Sequence, residues 1–391
     1  MIPFSSSPQS SLGIEWEIAL ADRESGDLVS AAAELMAAVE ASHGEFLEPE
    51  GFSPQVTGEF LANTVEAVTG VCATVAEATD QLTRIAEVLQ RCADPLGVDL
   101  YSAGTHPYAR WTEQPVTAKD RYEKVLERTQ YWGRQMLVYG VHVHVGLDSR
   151  DKALPVVRRL VRYYPHLLAL SASSPYWEGV DTGYASQRAM IFQQLPASGI
   201  PYQFTQWAEY SDYIEGLIAS ETIEEESENR WDIRPVARYG TVEMRVCDGL
   251  ATVQEIGAIA ALTQCIVEEA SRTIDNGGTV DGLPRWYAEE NKWRAARYGL
   301  DARVIVAADG SVRPVAQELE ELVDRLEPIS RDLDCEAELA HVRQIIRGGP
   351  GYIRQRRTFE ESDGSLREVV RTIVGATREG LSTPGESAAA R

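Results

Sequence analysis

The chain is short of cysteine and of positive charge, and each shortage excludes something. Its five cysteines (Cys72, Cys92, Cys247, Cys265 and Cys335) are odd in number, scattered, and free of any CxxC spacing. That pattern points to reduced, mostly buried thiols and away from a disulfide frame or a zinc knuckle. Positive charge is also scarce: 37 Lys and Arg stand against 60 Asp and Glu, a net charge of -23. So acidic a surface excludes nucleic acid as a partner, because phosphate backbones are held by basic surface. It does not exclude a small phosphate ligand, since local arginines and bound cations can invert the field inside a pocket. Only Lys119, Lys124, Lys152 and Lys292 are lysines, which reads as codon bias. No apolar run reaches the ~18 residues of a membrane span. Met1 to Ser7 carry neither a basic region nor an apolar core, so no signal peptide is expected and the cytoplasm is the expected location. There is no Walker loop and no GxGxxG.

What is present is a chain of 391 residues, 44% hydrophobic and 25% charged, long enough for one large or two ordinary domains. Its central stretch is Gly140-Val141-His142-Val143-His144-Val145-Gly146. Strand side chains alternate with period two, so the valines face one side and both imidazoles the other. Such a pair is half of a metal site or simply the polar face of a half-buried strand. Leu12 to Leu20 alternates in the same way, with Ile14, Trp16, Ile18 and Leu20 on one face and Glu15 and Glu17 on the other. Thr64 to Val68 reads as a strand carrying Glu66, with Glu59 on the segment leading in. Arg230 to Cys247 reads as a hairpin around Tyr239-Gly240. Pairing Arg238 with Thr241 would set Val236 opposite Glu243 and Arg234 opposite Arg245. Arg234, Glu243 and Arg245 then share a face whose reverse, with Trp231, Ile233, Met244 and Val246, is apolar.

Around these strands the spacing predicts helices. One runs from Ser30 to about Ser42, capped by Ser30. A second carries the stripe Val71 to Cys92. A third opens on the capping box Thr117 to Asp120 and runs to about Gly133. Two stretches between Asp151 and Ser173 are expected to break before Pro165. A short helix over Tyr184 to Gln194 holds Arg188. Another runs from Glu209 to about Ser220. Thr252 caps a long one to about Asp275, and Arg285 to Gly299 follows. Four more are expected over 314–328, 331–347, 352–361 and 365–377. Glu48 to Pro54 reads as a loop and Glu224 to Glu228 as a solvated acidic run. Residues 1–11 are expected to be flexible, 12–379 to form one domain with a helical extension from about 285, and 380–391 to be disordered. Strands early and helices late indicate an α+β fold with an antiparallel sheet.

If the four strands share one face, five or six carboxylates and two imidazoles converge. They cannot all stay ionised without cations. Mostly oxygen ligands favour Mg²⁺, and the imidazoles lean to Mn²⁺. Arginines on the same face add a phosphate ligand, with metals bridging phosphates and Arg meeting the transferring group. The face becomes a platform for ATP chemistry.

The segments GIEWE, TVEAVTGVC, YGVHVHVG, QRAMIFQQLPASGIP, WDIRP and TVEMRVCDGL, in this order, resemble the type 2 glutamate–cysteine ligase family, and more narrowly its bacterial carboxylate–amine ligase subfamily. The resemblance runs from about residue 12 to 300 and more weakly to the C-terminus. It implies a glutamine-synthetase-like catalytic domain, a curved antiparallel sheet whose concave face holds two or three divalent metals and ATP. It implies that ATP phosphorylates the γ-carboxylate of glutamate, and that cysteine or another amine attacks the acyl phosphate. Carried over by motif, Glu15, Glu17, Glu59, Glu66, His142, His144 and Glu243 would hold Mg²⁺ or Mn²⁺. Arg245 and Arg234 would meet the phosphates of ATP, and Arg188 a substrate carboxylate. Small molecules are the implied partners, with a homo-oligomer left open. Two alternatives stand beside this reading. One is an amidohydrolase-type metal hydrolase, which also begins with HxH but needs more histidine ligands and a parallel barrel. The other is a non-catalytic protein that binds nucleotide or metal.

Overall fold

Alternation in the first long strand fixes the sheet. β1 (Leu12–Asp22) buries Ile14, Trp16, Ile18 and Leu20 completely, and Trp16 Nε1 donates to Ser102 Oγ at 2.8 Å. β2 (Gln55–Gly58), β3 (Thr64–Val68), β4 (Val98–Tyr101), β5 (Gly140–Gly146), β6 (Ile233–Val236) and β7 (Thr241–Asp248) join it. These seven strands run in the order β6-β7-β5-β1-β3-β2, with β4 also paired to β1, and every pairing is antiparallel. The computed structural model describes residues 1–47 and 51–381. The expected loop at Glu48 to Glu50 and the tail beyond Leu381 lie outside the described residues.

Three helices cover the apolar face. α2 (Val75–Ala93) lies on β1 and β3, α4 (Arg150–Ser171) on β7, and α7 (Val253–Asp275) on β5. Thr74 caps α2 by accepting from Glu77 N–H, and Thr252 caps α7 by accepting from Glu255 N–H. α9 (Val315–Asp332) and α10 (Glu336–Gly348) rest on α7, and α12 (Leu366–Leu381) on β4. The remaining helices are α1 (Ala32–His43), α3 (Asp120–Arg134), α5 (Gln187–Phe192), α6 (Trp207–Ala219), α8 (Arg285–Tyr298) and α11 (Gly351–Glu361). Among the described residues no helix is long and apolar enough to cross a membrane.

Several expectations need correction. Residues 1–11 are tied down: Ser5 N–H donates to Ala237 O, Trp207 Nε1 to Ile2 O, and Phe4 meets Trp207 edge-on at 5.4 Å. The apolar Ile2 and Phe4 dock on the core and outweigh the Ser/Pro composition around them. No break precedes Pro165; α4 runs unbroken with Pro155 and Pro165 inside. An interior proline costs about 3 kcal/mol, and burial of most of that helix offsets it. α1 begins at Ala32 without a side-chain cap, and the capping box expected at Thr117 does not form, Lys119 preceding α3. Gly380 and Leu381 complete α12 instead of opening a loose tail. A small hairpin, Arg303–Ile305 with Val312–Pro314, was not read from the sequence.

One buried ion pair braces the strand leading to the site. Lys292 Nζ on α8 lies 2.7 Å from Asp232 Oδ2, and both side chains are 5% exposed. Lys292→Met leaves that carboxylate buried without its cation. It is expected to lower unfolding free energy by about 3 kcal/mol, measured by urea denaturation; a loss under about 1 kcal/mol would place the pair among surface-like bridges.

Candidate active site

The polar face of the sheet is assembled by register. Glu17 sits opposite Glu66, Glu15 opposite His142, and Glu243 opposite both His144 and Arg234. The hairpin is therefore shifted by two from the expected pairing. Four residues, Ala237 to Gly240, make the turn, and Gly240 takes the left-handed φ of 64° that favours glycine. A shift of two keeps every side chain on its face, so the expected set still converges. A bulge follows in β7: Met244 pairs with Val143 and Cys247 with Val141, so Arg245 and Val246 together oppose His142.

Glu15 is the hub. Its carboxylate lies 2.8 Å from His142 Nδ1 and 3.2 Å from His144 Nε2. Glu243, 1% exposed, lies 4.0 and 3.9 Å from the same two imidazoles. It accepts from Arg234 Nε at 2.6 Å and from Arg245 Nη1. Arg234 also donates from Nη1 to the Ser227 and Asn229 carbonyls, which fix it beside Glu243. Glu66 accepts from Thr57 Oγ1 at 3.4 Å, and Glu17 from Gly140 N–H. Glu59 turns back to accept from its neighbour Phe60 N–H at 3.0 Å. Arg188 is 3% exposed and donates to the Arg245 and Val246 carbonyls at 3.3 and 3.4 Å.

Among the described residues two groups offer ligand atoms within 4.8 Å of one another: Glu15, Glu66 and His142, and Glu15, His144 and Glu243. Glu15 belongs to both, whereas Glu17 and Glu59 stand beside them. Burial raises Glu66 well above its ordinary range, and Glu15, Glu59 and Glu17 raise it further. Burial likewise raises Glu59, and raises Glu17 to about 7 against the pull of Arg188. Burial acts against ionisation of Glu243, but Arg234 and Arg245 outweigh it and hold the carboxyl low. For Glu15 burial is outweighed by His144 and His142, and its carboxyl is held well below the usual range. Burial, helped by Arg245, lowers His142 to about 4, so it is neutral at pH 7. Burial opposes a charge on His144, but Glu243 and Glu15 raise it. Crowded carboxylates beside a neutral imidazole form a donor set that fits a hard divalent ion.

Beside this face a cavity of about 720 Å³ opens between α3 and residues 218–230, with Arg121, Lys124, Arg128 and Arg230 in its wall beside Glu127, Glu221, Glu224 and Glu228. Arg121 lies close enough to feel Glu59 and Glu66, and Arg230 feels Arg245 and Arg234. Neither arginine was singled out in the sequence; nothing local marks them, since their place beside the site comes from how α3 and the segment before β6 pack, not from any motif. Thr57, opposite Glu66 in β2, was also missed. The all-antiparallel sheet, and a site with two histidines rather than four, remove the amidohydrolase alternative.

The sequence matches the family described as glutamate-cysteine ligase family 2 over residues 11–372. Relatives bearing the name "Putative glutamate--cysteine ligase 2", or a numbered form of it, include a protein of Arthrobacter sp. (strain FB24), 54% identical over 97% of this chain and 99% of its own. Another, of Leifsonia xyli subsp. xyli (strain CTCB07), is 50% identical over 97% of this chain and 99% of its own. Among solved structures, the glutamate–cysteine ligase of Francisella tularensis in complex with AMP covers 99% of this chain and 92% of its own, with TM-score 0.64 and 14% identity. A bifunctional glutathione synthetase of Pasteurella multocida gives TM-score 0.64 at 15% identity, over 95% of this chain and 52% of that one. These two likenesses concern the fold, which is the α+β ligase fold expected from the sequence. The chain belongs to glutamate–cysteine ligase family 2 and is an ATP-dependent carboxylate–amine ligase.

Proposed function

We propose that this chain activates a carboxylic acid as its acyl phosphate and passes the acyl group to an amine, with glutamate and cysteine as the candidate pair giving γ-glutamylcysteine. The observation that carries the reading is the convergence of Glu15, Glu66, His142, His144 and Glu243 on one sheet face with Arg245 beside them. A carboxylate oxygen attacks the γ-phosphorus of ATP and ADP leaves. The amine then attacks the acyl carbon, phosphate leaves with its electron pair, and the ammonium proton is lost. Neither step needs a protein nucleophile, so placement and charge neutralisation do the work.

Glu15, Glu66 and His142, and Glu15, His144 and Glu243, are the groups that would hold divalent ions, Mg²⁺ or Mn²⁺. Bound there, such ions would supply positive charge to the phosphates and to the transferring group. The chain's own residues do the rest. Glu243, fixed between Arg234 and Arg245, keeps Arg245 on the site face for the phosphates. Arg188 meets a substrate carboxylate or phosphoryl group. Glu17 and Glu59 complete the acidic wall. Arg121 and Arg230 add positive charge to the neighbouring cavity, whose other bases, Lys124 and Arg128, are paired with Glu224 and Glu228.

The test is product analysis by mass spectrometry with ATP, Mg²⁺, glutamate and cysteine, followed by a panel of other acids and amines. Amide and ADP in equal amounts, formed only when acid, amine and metal are all present, is the expected result. ADP released from ATP alone, with no amide from any pair, would overturn the reading.

A further inference from the structure

Arg188 reaches the site face through a gap that only glycine leaves: a Cβ on Gly140 would overlap its guanidinium. Although Arg188 is 3% exposed, its Nε finds no acceptor, and neither does the buried Nε of Arg245. Arg188 Nη1 is held by the two carbonyls of the β7 bulge. The guanidinium carbons of Arg188 and Arg245 lie 5.8 and 5.9 Å from the centroid of one ring, that of half-buried Phe192 at the end of α5. Two buried like charges against one ring repel each other. The negative faces of the ring offset part of that repulsion, and the forked donors left over suit a planar or tetrahedral oxyanion.

We propose that Phe192 is a positioning residue: its ring spaces Arg188 and Arg245 so that the two guanidiniums take one oxyanion, a carboxylate or a phosphoryl group, between them. Gly140 is the second positioning residue, since it keeps open the path of Arg188. The proposal deepens the ligase reading, and its turnover test rests on that reading; its anion test does not.

Phe192→Leu removes the ring, Phe192→Tyr keeps it, and Gly140→Ala blocks the path of Arg188 while leaving Phe192 in place. The anion test is the rise in melting temperature that inorganic phosphate produces relative to chloride at equal ionic strength, in EDTA. Wild type and Phe192→Tyr are expected to show it. In Phe192→Leu and Gly140→Ala, phosphate affinity is expected to fall about tenfold, the range of a cation–π contact. In turnover, Phe192→Leu is expected to raise KM for one substrate about tenfold and to change kcat by less than about threefold. A rise in KM for ATP identifies a phosphoryl group, and a rise in KM for the acid identifies a carboxylate. Should Phe192→Leu not fold, Gly140→Ala decides. A wild type that phosphate does not stabilise, or Phe192→Leu and Gly140→Ala variants that match wild type, would overturn the proposal. Absence of any ATP-dependent coupling in wild type would remove the ligase reading and leave the phosphate result to decide the clamp.

Discussion

Replacing Glu243 by Gln is expected to lower amide formation about a thousandfold or more and to cost about 3 kcal/mol of folding stability. Glu243 is 1% exposed and accepts from both Arg234 and Arg245. Glutamine keeps the shape but loses the charge. Its amide can accept from one guanidinium only, and its NH₂ then faces the other as donor against donor. Both arginines remain buried, and their positive charges are no longer balanced from between them. The loss of activity follows from two changes at once: Arg245 is released from the site face, and the group Glu15, His144 and Glu243 loses a charged ligand. Coupled ADP release reads the first number, and urea denaturation followed by circular dichroism reads the second. A variant that keeps more than about a tenth of wild-type turnover would remove Glu243 from the site.

Stripped of divalent ions with EDTA, the protein is expected to lose stability as pH rises from about 4.5 to 7, by about 1–2 kcal/mol per unit. Glu17 is raised from 4.5 to about 7 by burial, and Glu66 is raised well above 4.5 by burial and neighbouring carboxylates. In this window the folded chain binds protons that the unfolded chain has released, so stability falls with rising pH. His144, also raised, acts in the same direction. His142 acts oppositely: lowered from 6.5 to about 4 by burial, it contributes stability that is lost as pH falls through that interval. It therefore offsets part of the decline below about 6.5. Glu15 and Glu243, held low in the folded state, contribute stability that is lost only as pH falls through their folded values, below 4.5. Adding Mg²⁺ or Mn²⁺ is expected to stabilise the protein more at pH 8 than at pH 6, because ionised carboxylates then gain the cation they lack. Thermal melts across the range check both statements. Stability that rises from about pH 4.5 to 7 in EDTA would contradict the burial of these carboxylates.

The faces of this site were legible because strand alternation is a local property. Glu15 and Glu17, and His142 and His144, could be read as pairs without knowing what lay beside them. That they meet depends on register between strands more than 100 residues apart, which period two does not encode. The hairpin shows the limit. Its faces were read correctly as far as Met244, where the bulge breaks the alternation, and its pairing was off by two, because Ala237 to Gly240 form a longer turn than Tyr239-Gly240 alone suggests. The bulge at Arg245 and Val246, which frees the carbonyls that hold Arg188, leaves no mark in composition. Arg188 could be singled out from its segment but not seen to be buried, since burial comes from the end of β7 and from Gly140. Pro165 was overread: proline disfavours a helix locally, and packing of α4 between the sheet, α7 and α8 prevails. The hairpin over 303–314 carried its own signal in Asp309-Gly310, and its strands were too short to stand out between helices.

Electron paramagnetic resonance titration with Mn²⁺, on wild type and on Glu15→Gln, tests most directly whether this sheet face is built around metal. Glu15 is the one residue common to both ligand groups. Wild type is expected to bind Mn²⁺ at two places in each chain, and Glu15→Gln to weaken both about tenfold or more while its circular dichroism spectrum is unchanged. A wild type that takes up no Mn²⁺, or a Glu15→Gln variant that binds it as wild type does, would contradict the account.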